Sequence, residues 1–149
     1  MSPKNQKEEA VVDLTRAENY QHWIKDTIRF ADLDTLGHVN NVAFATFFES
    51  GRVRFFADHQ SPVDSTELIW MAVKMTIEFK AQMNWPGEVD IGSRISHMGR
   101  TSMIIGAGLF VDGQCTSTAE CVMVFVDPVT SRPREIPEDI RATFQYSGS

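Results

Sequence analysis

From Asn40 to about Ala57 apolar side chains recur at helical spacing. Phe44, Phe47, Phe48, Gly51 and Phe55 fall on one stripe, while Glu49, Arg52 and Asp58 fall off it. The pattern predicts a helix buried along one side by aromatic rings. Gly51 weakens that helix by roughly 1 kcal/mol relative to Ala, but it permits close approach to a strand. Further on the period becomes two. Met71, Val73, Met75, Ile77 and Phe79 alternate with Ala72, Lys74, Thr76, Glu78 and Lys80, which predicts a half-buried strand. Strand-like stretches follow at 88–98, 101–111 and 117–127. Gly99-Arg100 and Asp112-Gly113 have the residue types of hairpin loops, and Asn84-Trp85-Pro86-Gly87 those of a turn. Upstream of the helix, residues 22–30 (HWIKDTIRF) read as a first strand. The final PEDIRATF reads as a short helix with Pro137 near its first turn.

The order is strand, long helix, four strands and a terminal helix. One apolar helix and a five-stranded, mostly antiparallel sheet can cover each other's apolar faces, so the expected class is an α+β layer pair. Residues 1–18 form a polar N-terminal segment relieved only by the VVDL patch, and 19–149 form a single domain.

Composition narrows the function. The 149 residues carry a net charge of -6, which argues against a nucleic-acid partner. A ligand with only a few phosphates needs just a local cluster of Arg and Lys. No apolar run approaches the ~20 residues that span a bilayer, and the N-terminus lacks a signal core; a cytoplasmic protein with no membrane partner is expected. Cys115 and Cys121 sit at an even spacing that puts both on one strand face, where a bridge is awkward and reduced thiols are expected. His22, His59 and His97 lack metal-ligand spacing with each other or with the cysteines, so no metal is expected.

The chemistry concentrates in residues 30–49, FADLDTLGHVNNVAFATFFE. Two acids, a glycine, a histidine and paired asparagines run directly into the aromatic helix. Asp32 and Asp34 can be turn or capping residues. Alternatively, a carboxylate beside free helix-start amides can activate water or attack a carbonyl, while those amides stabilise the oxyanion that forms. Asp34 is the leading candidate, with Gly37 letting the loop turn. His38 can orient substrate, share a proton with Asp34 or cap the loop. Asn40 and Asn41 suit both an N-cap and the presentation of a free N–H.

This segment resembles the signature of hot-dog-fold acyl thioesterases, especially the 4-hydroxybenzoyl-CoA thioesterase-like family. The likeness extends over roughly residues 20–145. It implies a hot-dog fold, with the sheet wrapped around the central helix, and hydrolysis of an acyl-CoA thioester. The catalytic carboxylate would fall on Asp34, the second acid of the D-x-D pair, and the oxyanion amide near Asn41. It also implies a homodimer or homotetramer whose sites use both subunits, and no cofactor beyond the coenzyme A of the substrate. The H-V-N-N-V run is similar to plant acyl-carrier-protein thioesterases, which carry Asn and His after the acid; here those positions are Leu36 and His38, so the Asn is missing.

Some hot-dog thioesterases instead place their acid on the helix, which makes Glu49 a competitor; its alternative role is an ion pair with Arg52 or Arg54. Ser102, in Gly99-Arg100-Thr101-Ser102, occupies a family hairpin position that can meet the cofactor arm or a subunit interface. Arg100, Arg132 and Arg134 are candidates for the coenzyme A phosphates. Two other functions compete. Hot-dog hydratases use D-x-N-P-x-H, which the D-T-L-G-H here does not match, and a non-catalytic acyl-thioester binder would need no turnover at Asp34.

Overall fold

The long aromatic helix lies along the strands on one face of the sheet, its start over Ile28 at the end of the first strand and its last turn back beside His22 at that strand's beginning. The computed structural model describes residues 11–59 and 69–147. Strand β1 (His22–Ile28) leads through a short turn at Phe30–Asp32 into α1 (Asn41–Asp58), followed by β2 (Ile69–Phe79), β3 (Gly87–Met98), β4 (Ser102–Val111), β5 (Gln114–Val126) and α2 (Glu138–Ser147). The strand order is β1-β3-β4-β5-β2, and each neighbouring pair is antiparallel. Both edge strands flank α1 in the chain, and α1 runs antiparallel to β1, with Asp58 at its end bonded to His22 at 2.9 Å.

The buried stripe of α1 contains Phe44, Phe47, Phe48, Gly51 and Phe55, joined by Ala43 and Phe56. Its first half packs on Ile28, Met83, Val89, Ile91, Ala107, Leu109 and Ala119. The second half, Phe55 and Phe56, packs on Met103, Ile105, Cys121 and Met123, with Phe144 of α2 closing that end. A Cβ at Gly51 would stand 2.6 Å from Ile91 Cγ2, so the missing side chain sets how closely α1 lies on β3. Arg52 is only 9% exposed, although the pattern puts it off the stripe. It shares a helical row with Phe48 and Phe56, four residues to either side, and its aliphatic stem can be buried there.

The register slips at three places, in β2, β3 and β5, and the slips in β2 and β5 change the strand faces read from sequence. In β2 the register with β5 slips between Ala72 and Lys74, leaving Val73 as the extra residue. Trp70 therefore joins the core side, while Met71 and Val73 are exposed instead of sharing the face of Met75. In β5 the pairing jumps from Leu109↔Ser117 to Phe110↔Cys115. Cys115 then packs with Leu14, Tyr20 and Phe110 on the outer face, and Cys121 lies in the helix-side core. The two thiols occupy opposite faces, which corrects the single face implied by even spacing; both are free.

Residues 11–20 lie across the sheet's outer face. The Tyr20 hydroxyl donates to Leu14 O at 2.6 Å, and the Tyr20 ring rests where a Cβ at Gly92 would be. The β4–β5 hairpin turns through Asp112 and Gly113, both at positive φ, as a two-residue turn of that kind requires. Residues 1–10 and most of the polar connection at 58–66 lie outside the described residues.

Candidate active site

The loop between β1 and α1 folds back on itself. Leu33 and Val39 form an antiparallel bridge, the Asp34 N–H donates to His38 O at 2.8 Å, and the Gly37 N–H donates to Asp34 O at 3.1 Å. Gly37 sits at φ +80°, a conformation that costs glycine little and any other residue more. The reversal carries the chain from Asp34 to the start of α1 within seven residues.

The two acids have different surroundings. Asp32 is 5% exposed and closes a reciprocal cap with Arg29: Oδ2 accepts the Arg29 N–H at 2.8 Å and Oδ1 accepts Nη2 at 2.9 Å. Its backbone carbonyl also receives the Asn40 N–H at 2.8 Å. Burial pushes the Asp32 carboxyl up, but the bonds from the Arg29 side chain and backbone outweigh it and hold the group below the usual carboxylate range. Asp32 is thus a structural acid. Asp34 is exposed, and its Oδ1 accepts the N–H groups of Leu36 at 2.8 Å and His38 at 3.3 Å. Those bonds fix the carboxylate's rotamer at the loop surface.

Asn40 is the N-cap of α1. Its Oδ1 accepts the Ala43 N–H at 2.8 Å, and its carbonyl accepts the Phe44 N–H at 3.3 Å. The N–H groups of Asn41 and Val42 then have no acceptor within the helix, and they carry the positive pole of the macrodipole. Asn41 and Val42 are both exposed, so an incoming oxyanion can reach them.

His38 touches Asp34 through its backbone, not through its ring. The ring Nδ1 lies 3.2 Å from Asn84 Oδ1, on the segment that joins β2 to β3. The same segment accepts the Val39 N–H at Met83 O, 3.0 Å away. Met83 is buried in the core under α1, and Trp85 packs edge-to-face on Phe30 with centroids 5.3 Å apart. Residues 83–85 therefore frame the Asp34 loop. Sequence reading gave this stretch only as a turn, and nothing in a lone Asn 46 residues away marks it as a partner of His38.

The other candidates lie apart from Asp34 in one chain. The Asp34 loop follows Ile28, which pairs with Gly87 at the beginning of β3. Arg100 and Ser102 lie beyond Met98, at the other end of the same strand. Twelve residues of strand separate the two ends, about 35 Å. There Arg100 pairs at 3.7 Å with Glu135, and its carbonyl accepts the Ile136 N–H. Arg134 stacks over the Phe125 ring, and Arg132 is exposed. Glu49 is exposed on α1; Arg54 pairs with Asp58 at 2.9 Å, and among the described residues neither Arg54 nor Arg52 binds Glu49. A cleft of about 480 Å³ reaches Met83 and Asn84 but stops short of Asp34.

An antiparallel five-stranded sheet packed on one long helix, with an acid loop feeding the helix start, is the hot-dog architecture of thioesterases. The chain belongs to the thioesterase-like superfamily, whose family model matches residues 28–144. It is 25% identical over 122 residues to the acyl-CoA thioester hydrolase YbgC of Escherichia coli, an alignment covering 79% of this chain and 91% of that one. Among solved structures, the PA5185 protein of Pseudomonas aeruginosa superposes with a TM-score of 0.79 at 28% identity, covering 89% of this chain and 94% of the other. A Thermus thermophilus thioesterase, solved with coenzyme A and Zn, gives 0.77 at 25% identity, covering 88% and 97%. No helix among the described residues is long and apolar enough to cross a membrane.

Proposed function

We propose that this protein hydrolyses an acyl-CoA thioester to the free acid and coenzyme A, with Asp34 as the reacting carboxylate. The observation that carries the reading is the pairing, on one short loop, of a held but solvent-accessible carboxylate with the open N–H groups of Asn41 and Val42. As a base, Asp34 takes a proton from water as its oxygen attacks the thioester carbon. As a nucleophile, it forms an anhydride that water then opens. In either route negative charge develops on the carbonyl oxygen, and the positive end of α1 stabilises it. Collapse of the tetrahedral species expels the thiolate. The likeness to YbgC and to the coenzyme A-bound Thermus structure supports this substrate class.

A second copy completes the site in this reading. β2 is a free edge of 11 residues with Met71, Val73 and Phe79 exposed, and such an edge favours pairing with another strand. Two β2 strands paired antiparallel about a two-fold axis set the Ser102 end of one subunit beside the Asp34 end of the other. The partner's Arg100 and the partner's Ser102 then lie on the side from which coenzyme A would approach Asp34, and the partner's edge covers the exposed carboxylate. Glu49 and Asn40 line the helix side of that cleft. The assembly is a homodimer, open to further pairing into a tetramer.

Thiol release measured over short, long, aromatic and charged acyl-CoAs tests the activity, with crotonyl-CoA absorbance followed in parallel. Free thiol with at least one acyl-CoA, and no hydration of crotonyl-CoA, is expected. Ligand binding without thiol release would sink the proposal. Val73→Lys on the β2 edge should yield a monomer with little turnover; full activity in a monomer would exclude the shared site.

A further inference from the structure

Asn84 is 46 residues from His38 in sequence, yet among the described residues its side chain is the one polar group set within hydrogen-bond distance of the His38 ring. It is also held there from both sides. Met83, one residue before it, is 1% exposed and accepts the Val39 N–H, so the backbones of residues 38–39 and 83–84 lie alongside each other. Trp85, one residue after it, rests on Phe30. The His38 backbone is fixed in turn by its two bonds with Asp34. With the Asn84 carboxamide oxygen turned to the ring, the bond across the 3.2 Å gap takes its proton from Nδ1. In a neutral imidazole that leaves Nε2 with the lone pair.

We infer that Asn84 is a positioning residue: it holds His38 in the Nδ1–H form, so that Nε2 is the ring atom free to accept a proton beside the Asp34 loop. A free histidine in water prefers the opposite tautomer, with the proton on Nε2, so a fixed acceptor at Nδ1 has a definite effect on which nitrogen can act. The inference rests on the hydrolase reading above for what Nε2 does. In the route where Asp34 is the nucleophile, Nε2 takes a proton from the water that opens the anhydride, without rotation of the ring.

The test uses the whole protein, labelled with ¹⁵N-histidine and observed without substrate at a pH where the rings are neutral. His38→Gln assigns the His38 signals. Wild type should show a protonated Nδ1 and a bare Nε2, and a wild-type ring protonated at Nε2 overturns the inference without any substitution at Asn84. In Asn84→Ala the proton should move to Nε2 and kcat should fall about tenfold, with KM changed less than about twofold. Asn84→Asp, which keeps an acceptor oxygen, should restore both the tautomer and most of kcat. Because Asn84 acts through His38, Asn84→Ala should cost nothing further in the His38→Gln background. An Nδ1–H ring retained in Asn84→Ala, or an equal loss of kcat in both backgrounds, would refute the role. The tautomer is read without turnover, so a wild-type protein that binds acyl-CoA but releases no thiol would remove the hydrolase reading and leave this result standing.

Discussion

Gly51→Ala sets two known effects against each other at a place where the structure decides the winner. Replacing a helix-interior glycine with alanine ordinarily stabilises by about 1 kcal/mol. Here the new Cβ would meet Ile91 Cγ2 at 2.6 Å and Ser93 Oγ at 3.3 Å. Ile91 is fully buried, and its Cγ2 is one bond from Cβ, so it cannot swing aside as the tip of a flexible chain could. Either α1 lifts from β3 or the strand yields, and overpacking of this kind costs about 2 kcal/mol. The net expectation is a loss of about 1 kcal/mol, seen as a fall of about 2–4 °C in Tm for a domain this size. Urea unfolding of four proteins measures it: wild type, Gly51→Ala, Ile91→Leu and the double variant. Leucine has no methyl on Cβ, so in the Ile91→Leu background the Gly51→Ala change should become neutral or stabilising. A stabilised Gly51→Ala single variant would refute the close approach. An identical cost in both backgrounds would show that Ile91 is not the obstacle.

Other perturbations separate the structural residues of the loop from the reacting one. Asp32→Asn should lower stability by about 1–2 kcal/mol at neutral pH through weakened bonds to Arg29. The folded-state carboxyl lies below its unfolded value, so this contribution is complete above the unfolded pKa and disappears as pH falls through the folded one. The gap between the two urea midpoints should therefore close in acid, and a pH-independent gap would contradict the assignment. Asn40→Ala should cost about 1 kcal/mol by removing the cap on Ala43, whereas Asn40→Asp should retain most of it in thermal melts. Tyr20→Phe should cost about 1 kcal/mol by leaving Leu14 O without its donor, and unchanged unfolding would show that the 11–20 segment does not depend on that bond.

The elements with long, regular periods were readable from the chain alone. Phe44, Phe47, Phe48 and Phe55 mark the buried side of α1, and the Asp112-Gly113 pair marks a hairpin whose φ values match. What sequence periodicity could not carry was a change of phase. One extra residue, Val73 in β2 or Thr116 in β5, turns every later side chain to the other face, and neither residue type announces a bulge. Arg52 was hidden for a different reason: hydropathy scores its charge, while the buried part is its stem.

For the site, the D-x-D pair was visible as a motif, but its division of labour was not. Burial and the Arg29 cap single out Asp32 as the structural acid, and both depend on how the turn at residues 30–32 folds. Asn84 was out of reach because its partner lies across the sheet end, not along the chain. Arg100 and Ser102 show the converse. They are recognisable as a hairpin, yet a single subunit holds them a full strand length from Asp34, so any role in the reaction requires a second copy.

The most direct measurement of the central claim is single-turnover hydrolysis of the best acyl-CoA by wild type and Asp34→Asn, with unfolding midpoints recorded on the same samples. Asp34 makes its bonds at the loop surface, so the variant should keep its fold and lose turnover by a factor of about 100 or more. A well-folded Asp34→Asn protein that releases coenzyme A at the wild-type rate would contradict the account.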